Sequence, residues 1–130
     1  MNKITEILKA AGVFFVATAE GDQPRVRPFG AAAEFEGRTY LCTSNKKDCY
    51  AQMMKDPKVE ISAMVGEGEW IRVTGELIRD DRDEARAAML RDCPELGAMY
   101  HIGDGIFEVL WLKDPSCVKY SFTSAPVSLD

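Results

Sequence analysis

Two segments of this sequence could do chemistry on an anion: Arg25-Val-Arg27-Pro-Phe29 and Thr43-Ser-Asn-Lys-Lys47. In an extended chain, side chains alternate between faces. Arg25, Arg27 and Phe29 therefore share one face, while Val26, Pro28 and Gly30 share the other. Two guanidinium groups at that spacing repel unless solvent or an anion compensates them, and guanidinium grips phosphate through paired N–H donors. In the second segment, Ser44 or Asn45 reads as the cap of a helix running to about Lys55, which puts Lys46 and Lys47 in its first turn. A helix start offers unpaired N–H groups and the positive end of the dipole, so lysines there are mildly unfavourable without an anion. Together the segments point to a phosphate. The alternative is a solvated strand face followed by exposed lysines.

The surrounding composition sharpens this. The chain has 130 residues and a formal net charge of -5, so a local basic cluster is not background. That balance argues against a general nucleic-acid or anionic-membrane binder, which needs a broad basic surface. The length is that of one domain, 1–130, with 46% hydrophobic and 28% charged residues, as in soluble globular proteins. No apolar run is long enough to cross a bilayer, and the first residues lack the pattern of a signal peptide, so a cytoplasmic location is expected. Cys42, Cys49, Cys93 and Cys117 form no C-x-x-C pair, and His101 is the single histidine. No metal site is expected, and reduced, buried thiols are.

The elements that must position the basic residues read as follows. A helix from about Asn2 to Ala11 stops at Gly12. Val13–Thr18 is a buried strand, and after a turn at Glu20–Asp22 a second strand runs from about Pro24 to Phe35. Glu36-Gly37 turns it into a strand over Thr39–Thr43, making a meander. The helix after Ser44 ends at Asp56-Pro57. Alternating strands follow at Val59–Val65 and Trp70–Ile78. Asp81, with Glu84 three residues on, reads as a helix cap. Pro94 opens a short helix. Ile106–Leu112 and Cys117–Phe122 read as two strands turned by Lys113-Asp-Pro115, and the tail after about Thr123 is expected to fray. The fold class is mainly β with helices (α+β). Six or seven antiparallel strands form a closed or partly closed small barrel.

Other chemistry is sparse. There is no phosphate-binding G-x-x-x-x-G-K-[ST] loop or Rossmann glycine pattern. His101 has no evident acid–base partner, and no catalytic residue is assigned. Trp70 falls on the outward face of its strand with Arg72 and Thr74, at a stacking site or subunit contact, while Ile71, Val73 and Leu77 face inward. Trp111 reads as core or interface.

Val13–Thr18, Gly21–Gly30, Tyr40–Lys47, Pro57–Ile61, Trp70–Gly75 and Gly105–Val109 resemble, in order and spacing, the small pyridoxamine 5′-phosphate oxidase-like proteins, a group that includes nitroimidazole-resistance proteins. The resemblance covers nearly the whole chain. It implies an FMN-binding split β-barrel and a homodimer with two flavin sites at the subunit interface. By position, Arg25, Val26, Arg27, Pro28, Phe29 and Gly30 match the strand along the flavin and its phosphate tail. Cys42 and Thr43 match contacts of the next strand. Lys46 and Lys47, reached through Ser44 and Asn45, match the basic pair that holds the phosphate. Trp70 falls where the full-length oxidases carry a glutamine near the flavin ring. The full oxidases end in an Arg- and Trp-containing substrate segment. Ile106–Phe122 contains no arginine, so true pyridoxamine 5′-phosphate oxidase activity is not expected.

The leading expectation is an FMN-dependent oxidoreductase acting on a small nitroaromatic or quinone-like substrate. The rivals are a flavin carrier or sensor without turnover, a barrel that takes haem or a deazaflavin, and a dimerisation scaffold with no ligand.

Overall fold

The computed structural model describes all residues, 1–130. Helix α1 (Lys3–Ala11) is capped by the Asn2 side chain, which accepts from the Thr5 N–H, and ends at Gly12, whose φ of 77° suits a residue without Cβ. Then come β1 (Phe14–Glu20), β2 (Gln23–Phe29), β3 (Ala33–Phe35), β4 (Arg38–Ser44), α2 (Asp48–Lys55), β5 (Lys58–Gly66) and β6 (Glu69–Asp80). Helix α3 (Asp83–Asp92), a 3-10 turn at Pro94–Ala98, β7 (Phe107–Ser121) and β8 (Val127–Ser128) complete the chain. No helix is long and apolar enough to cross a membrane.

The strands form one sheet in the order β2-β1-β5-β6-β7-β4-β3, every pair antiparallel, with β8 on β7. Its end strands, β2 and β3, are separated in the chain only by Gly30-Ala-Ala32. In a flat sheet six strand spacings would put them about 29 Å apart. The four Cα steps from Phe29 to Ala33 reach at most about 14 Å. The sheet must therefore curl until its two edges approach, which is a split barrel.

The inward faces of β1, β5, β6 and the first part of β7 supply Val16, Ile61, Ile71, Val73 and Leu110 to one core, joined by Leu8 of α1 and Met53 of α2. Outside the barrel, α3 and the 3-10 turn pack Met89, Leu96 and Tyr100 against Tyr40, Cys42, Phe107 and Val109. Thus β4 and the start of β7 are buried on both faces. All four cysteines are free and buried.

Several sequence expectations change. The single strand expected over Pro24–Phe35 is two strands on opposite edges, so the meander breaks at β2. Ala31, Ala32 and Ala33 are all buried in succession, which a strand with one solvated face does not allow. The turn expected at Lys113-Asp-Pro115 is a bulge within the continuous β7, where Asp114 takes a φ of 50° and the β6 register jumps between Thr74 and Glu76. Asp81 does not cap α3. Its carboxylate accepts from Arg79 and Arg86, and Arg82 stands at the cap position without a side-chain hydrogen bond. The tail expected to fray is held: β8 pairs with β7, and Asp130 accepts from the Cys117 N–H and the Ser116 hydroxyl.

Gly75 faces the bulge. A Cβ there would lie 2.7 Å from Leu112 Cδ1 and 3.0 Å from the Lys113 carbonyl oxygen. Because the backbone oxygen and the buried leucine cannot both yield, Gly75→Ala is expected to cost about 1–3 kcal/mol in chemical denaturation.

A buried cluster holds α3 to the β3–β4 hairpin. Asp80 accepts from the Tyr40 hydroxyl at 2.7 Å and from Arg82 Nε and Nη2 at 3.0 and 2.9 Å, and Arg82 also reaches Glu36. The Arg82 hydrogen bonds, then that of Tyr40, hold the Asp80 carboxyl well below the usual carboxylate range. Burial, reinforced by Asp80, pushes the Tyr40 phenol up to about 12. A depressed folded-state value means that the unfolded chain binds the proton more readily. The stabilisation is present above the ordinary Asp value of 3.8 and is lost as pH falls below it. Asp80→Asn should cost about 1–3 kcal/mol at neutral pH. It should also flatten the loss of stability below about pH 4 in denaturant titrations.

Candidate functional site

The curled sheet brings the end of β2 against the end of β4 and the start of α2. Between them, closed on the far side by the 3-10 turn, lies a cavity of about 310 Å³, at the lower bound for small-molecule sites. Arg27, Pro28, Phe29 and Gly30 line one wall, and Cys42, Thr43 and Lys47 line another.

Arg27 is the most closely held of the basic groups. Its Nη1 donates to the Thr18 hydroxyl at 2.8 Å and the Val16 carbonyl at 3.3 Å, and its Nη2 donates to Gln52 Oε1 at 2.8 Å. The Thr18 hydroxyl donates to the same Gln52 oxygen at 2.6 Å. These acceptors are neutral. The guanidinium is oriented but its charge is not neutralised, as an anion site requires. Lys47 likewise forms no ion pair.

Arg25 behaves differently. It points the same way but stands beyond the cavity, with Nε and Nη2 on Glu20 Oε1 at 3.1 and 2.9 Å. Its hydrogen bonds hold the Glu20 carboxyl below the usual value. Val26 is exposed on the outward face.

The segment after β4 is not the helix start expected. Thr43 and Ser44 end the strand, α2 begins at Asp48, and Lys47 is the cap residue with no side-chain cap hydrogen bond. The reason is a tight turn: the Ser44 hydroxyl accepts from the Lys46 N–H at 3.1 Å, and its carbonyl accepts from the Lys47 N–H at 3.1 Å. Asn45 is tied away from the cavity, its Nδ2 donating to the Gly105 carbonyl at 2.8 Å and to Glu108 at 2.9 Å. Lys46 is exposed and does not line the cavity. Of the two lysines, only Lys47 faces it.

Trp70 is not brought to this cavity. It stacks on Tyr120, with ring centroids 6.0 Å apart, and meets Phe122 at 5.0 Å. His101 is 77% exposed and lies outside the cavity.

Sequence reasoning missed the third wall, made by Glu95, Leu96, Met99 and Tyr100, together with Cys49 at the start of α2. The Leu96–Tyr100 spacing marks an apolar helical face, but no local pattern says that this face covers β4. Burial pushes the Cys42 thiol up to about 12, with Cys93 adding to it, so Cys42 is a neutral wall residue.

An antiparallel split barrel with Arg27 and Lys47 on the walls of one cavity defines a class, and comparison with known proteins names the family. The sequence pattern of pyridoxamine 5′-phosphate oxidase matches residues 1–113. The chain belongs to this family. It is similar to a NimC/NimA family protein from Clostridium acetobutylicum, with 49% identity over 98% of this chain and 91% of that one and a TM-score of 0.91. Two more distant structures share the fold. One is a pyridoxamine 5′-phosphate oxidase-related, FMN-binding protein from Nostoc punctiforme, with 16% identity, 97% and 91% coverage and a TM-score of 0.65. The other is a heme-binding protein from Mycobacterium smegmatis, with 19% identity over 95% of this chain and 55% of that one and a TM-score of 0.74. A comparison with curated proteins found no match.

Proposed function

We propose that the chain is an FMN-binding flavoprotein that acts as a homodimer in redox chemistry on a small molecule. One observation carries this reading: Arg27 is aligned at the cavity wall by neutral acceptors alone, with the unpaired Lys47 on the facing wall. A phosphate between them would complete both, and the apolar surfaces of Phe29, Leu96 and Met99 suit the flat ring of the same ligand. Bound FMN supplies the hydride or electron transfer. The protein's own residues hold the phosphate at Arg27 and Lys47, and the neutral Cys42 and Thr43 form the wall beside it.

A dimer has independent support. Phe15, Val26, Met64 and Phe122 are exposed apolar side chains. The cross-strand neighbours Met64, Trp70 and Tyr120 carry that surface across β5, β6 and β7. We assign this aromatic surface to the contact between protomers, a route by which Trp70 would meet the partner subunit. Light scattering on the eluted peak is expected to give twice the chain mass of 14.5 kDa; a monomer at micromolar concentration would remove that route.

The cofactor is tested by the visible spectrum of the purified protein, with and without added FMN, after desalting. Retained flavin bands are expected. A Soret band in their place would show haem instead, for which the exposed His101 offers no ligand inside the cavity. Arg27→Ala and Lys47→Ala should each weaken FMN by about 1.5–3 kcal/mol, the range for a hydrogen bond to a charged group. Arg25→Ala, already paired with Glu20, should weaken it less. Flavin retention without turnover of any nitro compound or quinone under a reductant would mark a carrier or sensor.

A further inference from the structure

We propose that Tyr100 is a ligand-facing hydrogen-bond donor, placed to meet a carbonyl oxygen on a flat, uncharged ring bound in the cavity. This rests on the flavin reading above and concerns the wall made by the 3-10 turn and the residues that follow it.

Tyr100 is 8% exposed, so it is more than nine-tenths buried. Its ring is fixed by stacking on Phe107, with centroids 4.7 Å apart and planes 21° apart. Its backbone N–H donates to the Leu96 carbonyl at 2.9 Å, which locks the residue to the 3-10 turn. The hydroxyl makes no hydrogen bond within the chain, yet no fully buried side-chain oxygen or nitrogen is left without a partner. The hydroxyl must therefore meet open space, and Tyr100 lines the cavity. A rigid phenol without a protein partner is a donor waiting for an acceptor.

The surroundings choose the acceptor. Burial, with Cys42 and Asp104 nearby, holds the phenol above its usual range, so it keeps its proton at neutral pH. Glu95 on the same wall forms no ion pair and disfavours an anion there. Leu96 and Met99 beside it favour a flat apolar body. A ring carbonyl satisfies all three conditions. It could come from the flavin ring itself or from a quinone-type substrate, and both present the same chemistry to the hydroxyl.

Tyr100→Phe separates these sources while keeping the stack on Phe107. Affinities of wild type and variant would be measured for FMN, for riboflavin, which has the ring without the phosphate, for 1,4-naphthoquinone on the FMN-loaded protein, and for naphthalene as the ring without carbonyls. Loss of one neutral hydrogen bond is expected to weaken binding about three- to tenfold. A loss for riboflavin and FMN alike assigns the flavin ring, and a loss for naphthoquinone alone assigns the substrate. Either supports the proposal. Unchanged affinity for all three carbonyl ligands overturns it, and so does an equal loss for naphthalene, which would mark packing only. Wild-type protein that takes neither FMN nor riboflavin overturns the flavin reading, and naphthoquinone titration of the unloaded protein then decides Tyr100 alone.

Discussion

Everything in this molecule depends on one short link. Gly30-Ala-Ala32 joins strands that lie at opposite ends of the sheet order, and its length forbids a flat sheet. The curl that follows carries Arg27 of β2 to Lys47 at the cap of α2, residues twenty apart in the chain. Small side chains make the link possible, because Ala31, Ala32 and Ala33 are buried between the barrel and the α3 layer, where larger groups would hold the edges apart. The gap beside the link is the cavity that Arg27, Gly30, Ala31, Cys42 and Lys47 line.

The electrostatics around that gap are graded. Arg25, Arg72, Arg79, Arg82 and Arg86 all have carboxylate partners. Arg27 is instead surrounded by a hydroxyl, an amide oxygen and a carbonyl. These fix its direction without cancelling its charge. Gln52 is the linking residue: its oxygen accepts from Arg27 and Thr18, while its Nε2 donates to Glu20 at 3.3 Å, so the carboxylate paired with Arg25 is kept one residue away from Arg27.

Much of this was legible in the sequence, unevenly and for physical reasons. Alternation placed Arg25, Arg27 and Phe29 on one face, and burial of Ile71, Val73 and Leu77 follows the same rule. Asp56-Pro57 ended a helix where it should. Local pattern misjudged the places where tertiary structure decides. Two expected strands became one because β6 pairs across the Lys113–Pro115 bulge. One expected strand became two because its halves pair with different partners. Lys46 and Lys47 could not be told apart, since the Ser44 turn that aims only one of them at the cavity is a hydrogen-bond choice rather than a periodicity. The wall of Glu95, Leu96, Met99 and Tyr100 was invisible because its contact with β4 is a packing of distant segments.

The β2 strand also has a free side. Pro24 and Pro28 sit opposite Ala19 and Phe15 of β1, and a residue without an N–H can occupy only the positions whose amides would point away from the partner strand. Along the open edge, Val26 is therefore left with a donor while the positions on either side have none. An unpaired edge of this kind would otherwise offer a ready template for another chain's strand, the usual beginning of edge-to-edge aggregation. In this strand the prolines that flank Arg25 and Arg27 leave Val26 as the one donor between them along the open edge, which makes that edge a poor template for backbone pairing.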